Sequence, residues 1–165
     1  MGKIKKFKEF NEKESEYTVY SNKKGGKFWG DQGAGVLPIC RKTGRILVAM
    51  RGEQVNEPHT WGIFGGAMDE GETPEESAKR ELVEESGYTG KFEIIPAFIY
   101  VSLDQKFTYN NFIGIVDEEF QPEYDWETEY AKWMTLDELL SAKPKHFGLK
   151  KLLDKSMDII KKFAK

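Results

Sequence analysis

The sequence predicts one α/β domain, a mixed β-sheet covered by helices on both faces. Three observations carry this. Apolar runs of strand length precede a well-capped helix, two more such runs follow it, and the chain closes on helical periodicity. Strands, a helix, strands and then helices is the order expected of a sheet packed on both sides. At 165 residues there is length for one sizeable core, and no repeat or low-complexity linker divides it.

Each element has its own signal. Residues 16–20 (EYTVY) and 27–29, separated by SNKKGG, read as an N-terminal hairpin within an extension of about thirty residues. The runs 32–40 (QGAGVLPIC) and 45–50 (RILVAM) flank the turn RKTG and are core strands. A loop, 51–64, leads on to the helix. Thr73 is its N-cap, Pro74 takes the first helical position and Glu76 completes a capping box. The helix runs through Glu75, Ala78, Leu82 and Val83 to Gly87, a left-handed stop. Ala78 and Leu82, one turn apart, give it a stripe to pack on the sheet. Residues 91–102 and 106–116 are β-rich runs joined at Leu103-Asp104-Gln105. A strand at 129–134 precedes a short helix, 135–142, with a second capping box in Thr135 and Glu138. The last helix, 148–163, places Leu149, Leu152, Leu153, Ile159, Ile160 and Phe163 at helical spacing.

Composition narrows the classes. With 39% hydrophobic and 13% aromatic residues this is an ordinary globular chain. A net charge of −3 argues against a dedicated nucleic-acid binder, which carries a basic face. Lys3, Lys5, Lys6, Lys8 and the C-terminal lysines read as solvated surface. The lone Cys40 excludes an internal disulfide, fits a reducing compartment and, in its apolar run, reads as core rather than nucleophile. No signal peptide opens the chain and no segment approaches the ~20 apolar residues of a membrane span, so a cytoplasmic protein is expected.

The chemistry concentrates between Gly66 and Tyr88. Glu81, Glu84 and Glu85 stand at offsets of zero, three and four, so one helical edge is expected to bring three carboxylates within reach of each other. Such charges repel, and a hard divalent cation would relieve the repulsion. Glu81 and Glu85 flank the Ala78–Leu82 stripe, which puts this edge at the rim of the core. Gly65 and Gly66, just ahead, permit close backbone approach, so a carbonyl there can turn toward a cation.

The spacing of Gly66, Glu72, Arg80, Glu81, Leu82, Glu84, Glu85 and Gly87 resembles the Nudix box, G-x5-E-x7-R-E-U-x-E-E-x-G-U, where U is bulky and apolar. Average composition gives a chance match near ~10⁻⁸ per window, so coincidence is negligible. Tyr88 replaces the usual final aliphatic residue, a change that should affect packing only. The segment from Trp61 to Gly66 resembles the W-x-x-P-G-G lead-in of that family, with Phe64 in place of proline. Resemblance to the Nudix (MutT-like) hydrolases implies an α/β/α sandwich with a mixed sheet. It further implies Mg²⁺- or Mn²⁺-dependent hydrolysis of a phosphoanhydride in a nucleoside diphosphate linked to another group: a nucleotide sugar, an ADP-ribose-like compound or a nucleoside triphosphate. A small-molecule nucleotide is then the partner, and a homodimer is allowed.

The same resemblance distributes roles. Glu84 and Glu85 become metal ligands, with the Gly65 carbonyl as a third. Glu81 is a ligand or the base that positions water, and Arg80 orients a box carboxylate such as Glu72. Some family members take the general base from a later loop, for which Glu127 and Glu129 are the candidates, Glu129 also as a ligand and Glu127 also on the substrate side. Arg51, Trp61, Phe64 and Gly66 are expected at the substrate. Trp61 and Phe64, like Phe28, Trp29, Phe107 and Tyr109, could stack on a base, although core or strand-face packing is the commoner fate of such residues. His59 and His146 read as surface histidines in loops, His59 the nearer to substrate. Markers of the ADP-ribose, dinucleoside-polyphosphate and dinucleotide-cofactor subclasses are absent at their usual positions, leaving the nucleoside and leaving group open. Two alternatives stand beside hydrolysis of small nucleotides. One is a nucleotide-binding regulator that does not cut, although such modules often have a broken box and this one is intact. The other is a pyrophosphohydrolase of RNA 5′ ends, which requires a basic groove and salt-dependent binding.

Overall fold

A computed structural model describes residues 5–7, 19–21, 32–124 and 126–165. Near the N-terminus β1 (Lys5–Phe7) pairs antiparallel with β2 (Val19–Ser21). The expected hairpin of 16–20 with 27–29 is thus replaced, for 19–21, by pairing to an earlier segment, and 27–29 lie outside the described residues. The main sheet contains β3 (Gln32–Cys40), β4 (Ile46–Arg51), β5 (Trp61–Gly62), β6 (Phe64–Ala67), β7 (Phe92–Val101), β8 (Thr108–Val116) and β9 (Thr128–Met134). Its order is β5-β4-β3-β8-β7, with β6 also on β3 and β9 also on β4. β3 runs parallel to β8 and antiparallel to β4 and β6, so the sheet is mixed.

The near-continuous apolar sequences of β3 and β4 follow from burial on both faces. Leu37, Ile39, Ile46 and Val48 enter one core with Ile113 and Ile115 of β8. Ala34, Val36, Leu47 and Ala49, the alternate residues, enter the other with Phe64 and Phe112. Helix α1 (Pro74–Ser86) covers this second face through Ala78 and Leu82, both fully buried. The first face is covered by α2 (Leu136–Ser141), α3 (Phe147–Lys155) and α4 (Met157–Phe163), through Leu139, Leu149, Leu152 and Ile160. Burying a side chain of this size contributes about 1.5–3 kcal/mol, so these few residues anchor the helices. Cys40 is a buried core residue. No described helix is long and apolar enough to cross a membrane.

Both caps of α1 form as the residues dictate. Thr73 accepts from the Glu76 N–H, the Glu76 side chain returns the bond, and Gly87 ends the helix at φ 71°. Two expectations need correction. The segment 51–64 is not one loop, since β5 and the start of β6 lie within it. Gly65 makes the second possible: a Cβ there would stand 2.6 Å from the Ala34 carbonyl oxygen of β3. The final helix is two helices, broken at Ser156 (φ −127°, ψ 22°), whose backbone N–H closes α3 onto the Leu152 carbonyl while its own carbonyl accepts from Ile159 and Ile160.

Candidate active site

Arg80 organises the acidic edge of α1. Its guanidinium grips Glu72 with two bonds, Nε to Oε1 at 2.5 Å and Nη2 to Oε2 at 3.0 Å. Nη1 donates to Glu81 Oε1 at 3.2 Å and to Glu84 Oε2 at 3.0 Å. Glu72 also accepts the Asp69 N–H at 2.8 Å, which ties the loop before the helix to the same hub. The bond from Arg80 holds the Glu72 carboxyl at a pKa of about 2, and Glu72 in turn raises that of Arg80. Arg80 orients Glu72, as the resemblance implies.

The three glutamates differ in setting. Glu81 and Glu85 are buried beside the Ala78–Leu82 stripe, whereas Glu84 is exposed. Glu85 Oε1 accepts the Gly65 N–H at 3.1 Å, so the carboxylate is pinned to β6. Their repulsion is therefore already eased by Arg80, a partner that counting carboxylates overlooks. Among the described residues no three His, Cys, Asp or Glu side chains close into a metal-holding group. The expected convergence of all three carboxylates is replaced by a split, two toward Arg80 and one toward Gly65. A magnesium ion does not need a closed cage, because it keeps waters and completes its shell with substrate phosphate oxygens. The cleft lined by Glu85, Glu127, Arg51, Gly65 and Gly66 offers it hard oxygen donors. On donor chemistry the site fits.

Other expected residues divide clearly. Arg51 lines this cleft and an adjoining cavity, its guanidinium donating to the Asn56 carbonyl at 2.9 and 2.6 Å. Glu127 faces the cleft, whereas Glu129 pairs with His59 Nδ1 at 3.2 Å. Phe64 is fully buried and cannot stack on a base. It packs in the α1-side core, at a strand position where it pairs with Val36. Trp61 belongs to the opposite core, with Tyr130 edge-on at 5.4 Å. Both were expected at the substrate, and packing claims them instead. Phe107 is likewise core, and Phe28 and Trp29 lie outside the described residues. Tyr88 stacks on Phe120 at 4.3 Å, a packing role.

The adjoining cavity gathers residues from distant parts of the chain: Arg51, Ile63, Tyr100, Tyr109, Asn111 and His146. Burial, with Glu85 and Glu81 nearby, pushes the Tyr109 pKa up and keeps its hydroxyl protonated. His146 is buried rather than a surface residue. Its Nδ1 accepts the Gly148 N–H at the start of α3, and Nε2 lies 3.0 Å from Glu57 Oε2. Glu57 and His59 reach their partners from left-handed backbone, φ 50° and 57°, a strain of about 1–2 kcal/mol each. A lone histidine carries no sequence signal for this. The only hint was its place just ahead of a helix.

Burial first, and Arg51 next, lower the His146 pKa to about 4. The unfolded chain takes up this proton near pH 6.5, the folded one only near pH 4. The contribution of neutral His146 to stability is therefore complete above pH 6.5 and fades as the pH falls toward 4. Thermal melts between pH 4 and 7 should show a steeper acid-side loss for the native chain than for His146→Gln. Parallel slopes would refute this.

Comparison with known proteins agrees with the geometry. The NUDIX domain profile matches residues 31–155. The putative 8-oxo-dGTP diphosphatase 3 of Mycobacterium tuberculosis is 29% identical over 133 residues, 75% of this chain and 61% of that protein. The chain thus spans less than two thirds of the length of that relative. The RNA pyrophosphohydrolase of Vibrio atlanticus is 45% identical over 55 residues, 33% of this chain and 30% of that one. A crystal structure of a Nudix hydrolase from M. smegmatis shares the fold, with a TM-score of 0.67 over 86% of this chain and 92% of the other at 20% identity.

Proposed function

Since the chain belongs to the Nudix family, we propose that it is a metal-dependent pyrophosphohydrolase that cleaves a phosphoanhydride in a nucleoside diphosphate linked to another group. The observation that carries this reading is the hub at Arg80, which fixes Glu81 and Glu84 on one helix edge and ties Glu72 of the preceding loop to them, while Glu85 is held at Gly65 of β6. Nudix hydrolases generally use divalent metals such as Mg²⁺, and Glu85 and Glu84, with Glu81 and the Gly65 carbonyl, would hold one here. The bound cation supplies neutralisation of phosphate charge and acidification of an attacking water. Arg80 keeps Glu72 ionised and holds Glu72, Glu81 and Glu84 in place. Glu127, which lines the same cleft as Gly65 and Gly66, would be the group that accepts a proton there. Arg51 supplies positive charge where the cleft meets the cavity.

Substrate choice is tested by one panel in Mg²⁺ buffer: nucleoside triphosphates including 8-oxo-dGTP, sugar and ribose nucleoside diphosphates, dinucleoside polyphosphates and 5′-triphosphorylated RNA. The activities for which the two relatives above are named make the first and last classes worth including. Chromatography should show a nucleoside monophosphate released from at least one small nucleotide. Tight, Mg²⁺-independent binding without cleavage of any of them would favour a regulator. Cleavage of RNA alone would favour the 5′-end reading.

A further inference from the structure

Along β8, Tyr109, Asn111, Ile113 and Ile115 share one face at period two. Ile113 and Ile115 are core residues, and Asn111, only 4% exposed, continues their line as an amide. A buried amide is costly unless its polar atoms are paired. The Asn111 Nδ2 is: it donates at 3.0 Å to the Phe98 carbonyl, where β7 shifts register between Pro96 and Phe98. That bond fixes the orientation of the amide, so the oxygen is left as the acceptor. Asn111 Oδ1 is buried and has no hydrogen-bond partner.

We propose that Asn111 is a specificity-determining residue, accepting a hydrogen bond from an N–H on the edge of a nucleobase. The inference rests on the pyrophosphohydrolase reading for the placement of the ligand. Arg51, Ile63 and Gly65 line both the carboxylate cleft and the cavity that Asn111 lines, so the two adjoin. A nucleotide with its phosphates at Glu85 points its base this way. About 30 Å³ is free in the cavity, room for a ring edge and not for a whole ring. His146 is engaged by the Gly148 N–H and Glu57. An amino-bearing edge satisfies Oδ1, whereas a carbonyl edge sets two acceptors against each other and a bare C–H leaves the oxygen buried and unpaired. The ligand class is therefore a nucleotide whose base carries an exocyclic amino group at that edge.

The test is binding, which separates this inference from catalysis. Dissociation constants are measured by calorimetry for α,β-methylene triphosphate analogues in three pairs: cytidine and uridine, adenosine and purine riboside, deoxyguanosine and deoxyinosine. The native protein should prefer the amino-bearing member of at least one pair by about tenfold or more, the loss expected for an unpaired buried acceptor. Asn111→Leu should bring that ratio to within about threefold, and Asn111→Asp, which keeps an acceptor, should retain it. A purely structural role would weaken both members alike and leave the ratio unchanged. Equal affinities within every pair for the native protein overturn the inference, whether or not either variant folds. So does an Asn111→Leu protein that keeps the preference. Discrimination in binding without turnover of any hydrolysable counterpart would leave Asn111 in this role and refute the proposed activity. Absence of any nucleotide binding refutes both.

Discussion

Glu85→Gln is expected to lower turnover by about 10³-fold, the scale of several kcal/mol of lost charge stabilisation, with little change in melting temperature. The amide oxygen of glutamine can still accept the Gly65 N–H that Glu85 Oε1 accepts at 3.1 Å. Geometry is thus preserved while one negative ligand is removed. Steady-state kinetics on whichever nucleotide the panel identifies, beside a thermal melt, separates the two effects. A variant with near-native turnover would mean that Glu85 holds no metal. A variant that melts far lower would mean that its charge stabilises the fold.

Arg80→Gln has the opposite profile, a stability loss as well as a loss of turnover. Three carboxylates lose a shared cation, and they are not equivalent. Glu84 is exposed, and its i,i+4 pair contributes only about 0.3–0.5 kcal/mol. Glu81 is buried and Glu72 nearly so, and stripping the partner from such charges costs about 3–5 kcal/mol. The melting temperature should fall by roughly 10 °C. With Arg80 gone the edge repels itself more strongly, so millimolar Mg²⁺ should raise the melting temperature of the variant more than that of the native chain. Equal Mg²⁺ responses would show that the freed carboxylates gather no cation.

Local chemistry made much of this molecule readable. Helix α1 could be placed from Thr73, Pro74, Glu76 and Gly87 because its caps act within a few residues, and the buried character of β3 and β4 follows from apolar runs that only a two-sided sheet explains. The Arg80–Glu72 pair was one that the resemblance to the Nudix box implied. The cavity was not legible. Arg51, Tyr109, Asn111 and His146 come from two strands and the turn before α3, and no periodicity connects one element to the next. Trp61 and Phe64 misled in the other direction, since an aromatic beside a glycine loop looks the same whether it stacks on a ligand or fills a core. The break at Ser156 was hidden because its apolar neighbours keep helical spacing across it.

The central claim is that the α1 edge and Gly65–Gly66 of β6 together hold a divalent cation facing a bound diphosphate. Titration of Mn²⁺ followed by electron paramagnetic resonance, with a non-hydrolysable nucleotide present, measures that directly. Saturable binding by the native chain, weakened at least about tenfold in Glu85→Gln by the loss of a charged ligand, is the result expected. Binding that is absent in the native chain, or identical in the two proteins, would contradict the claim.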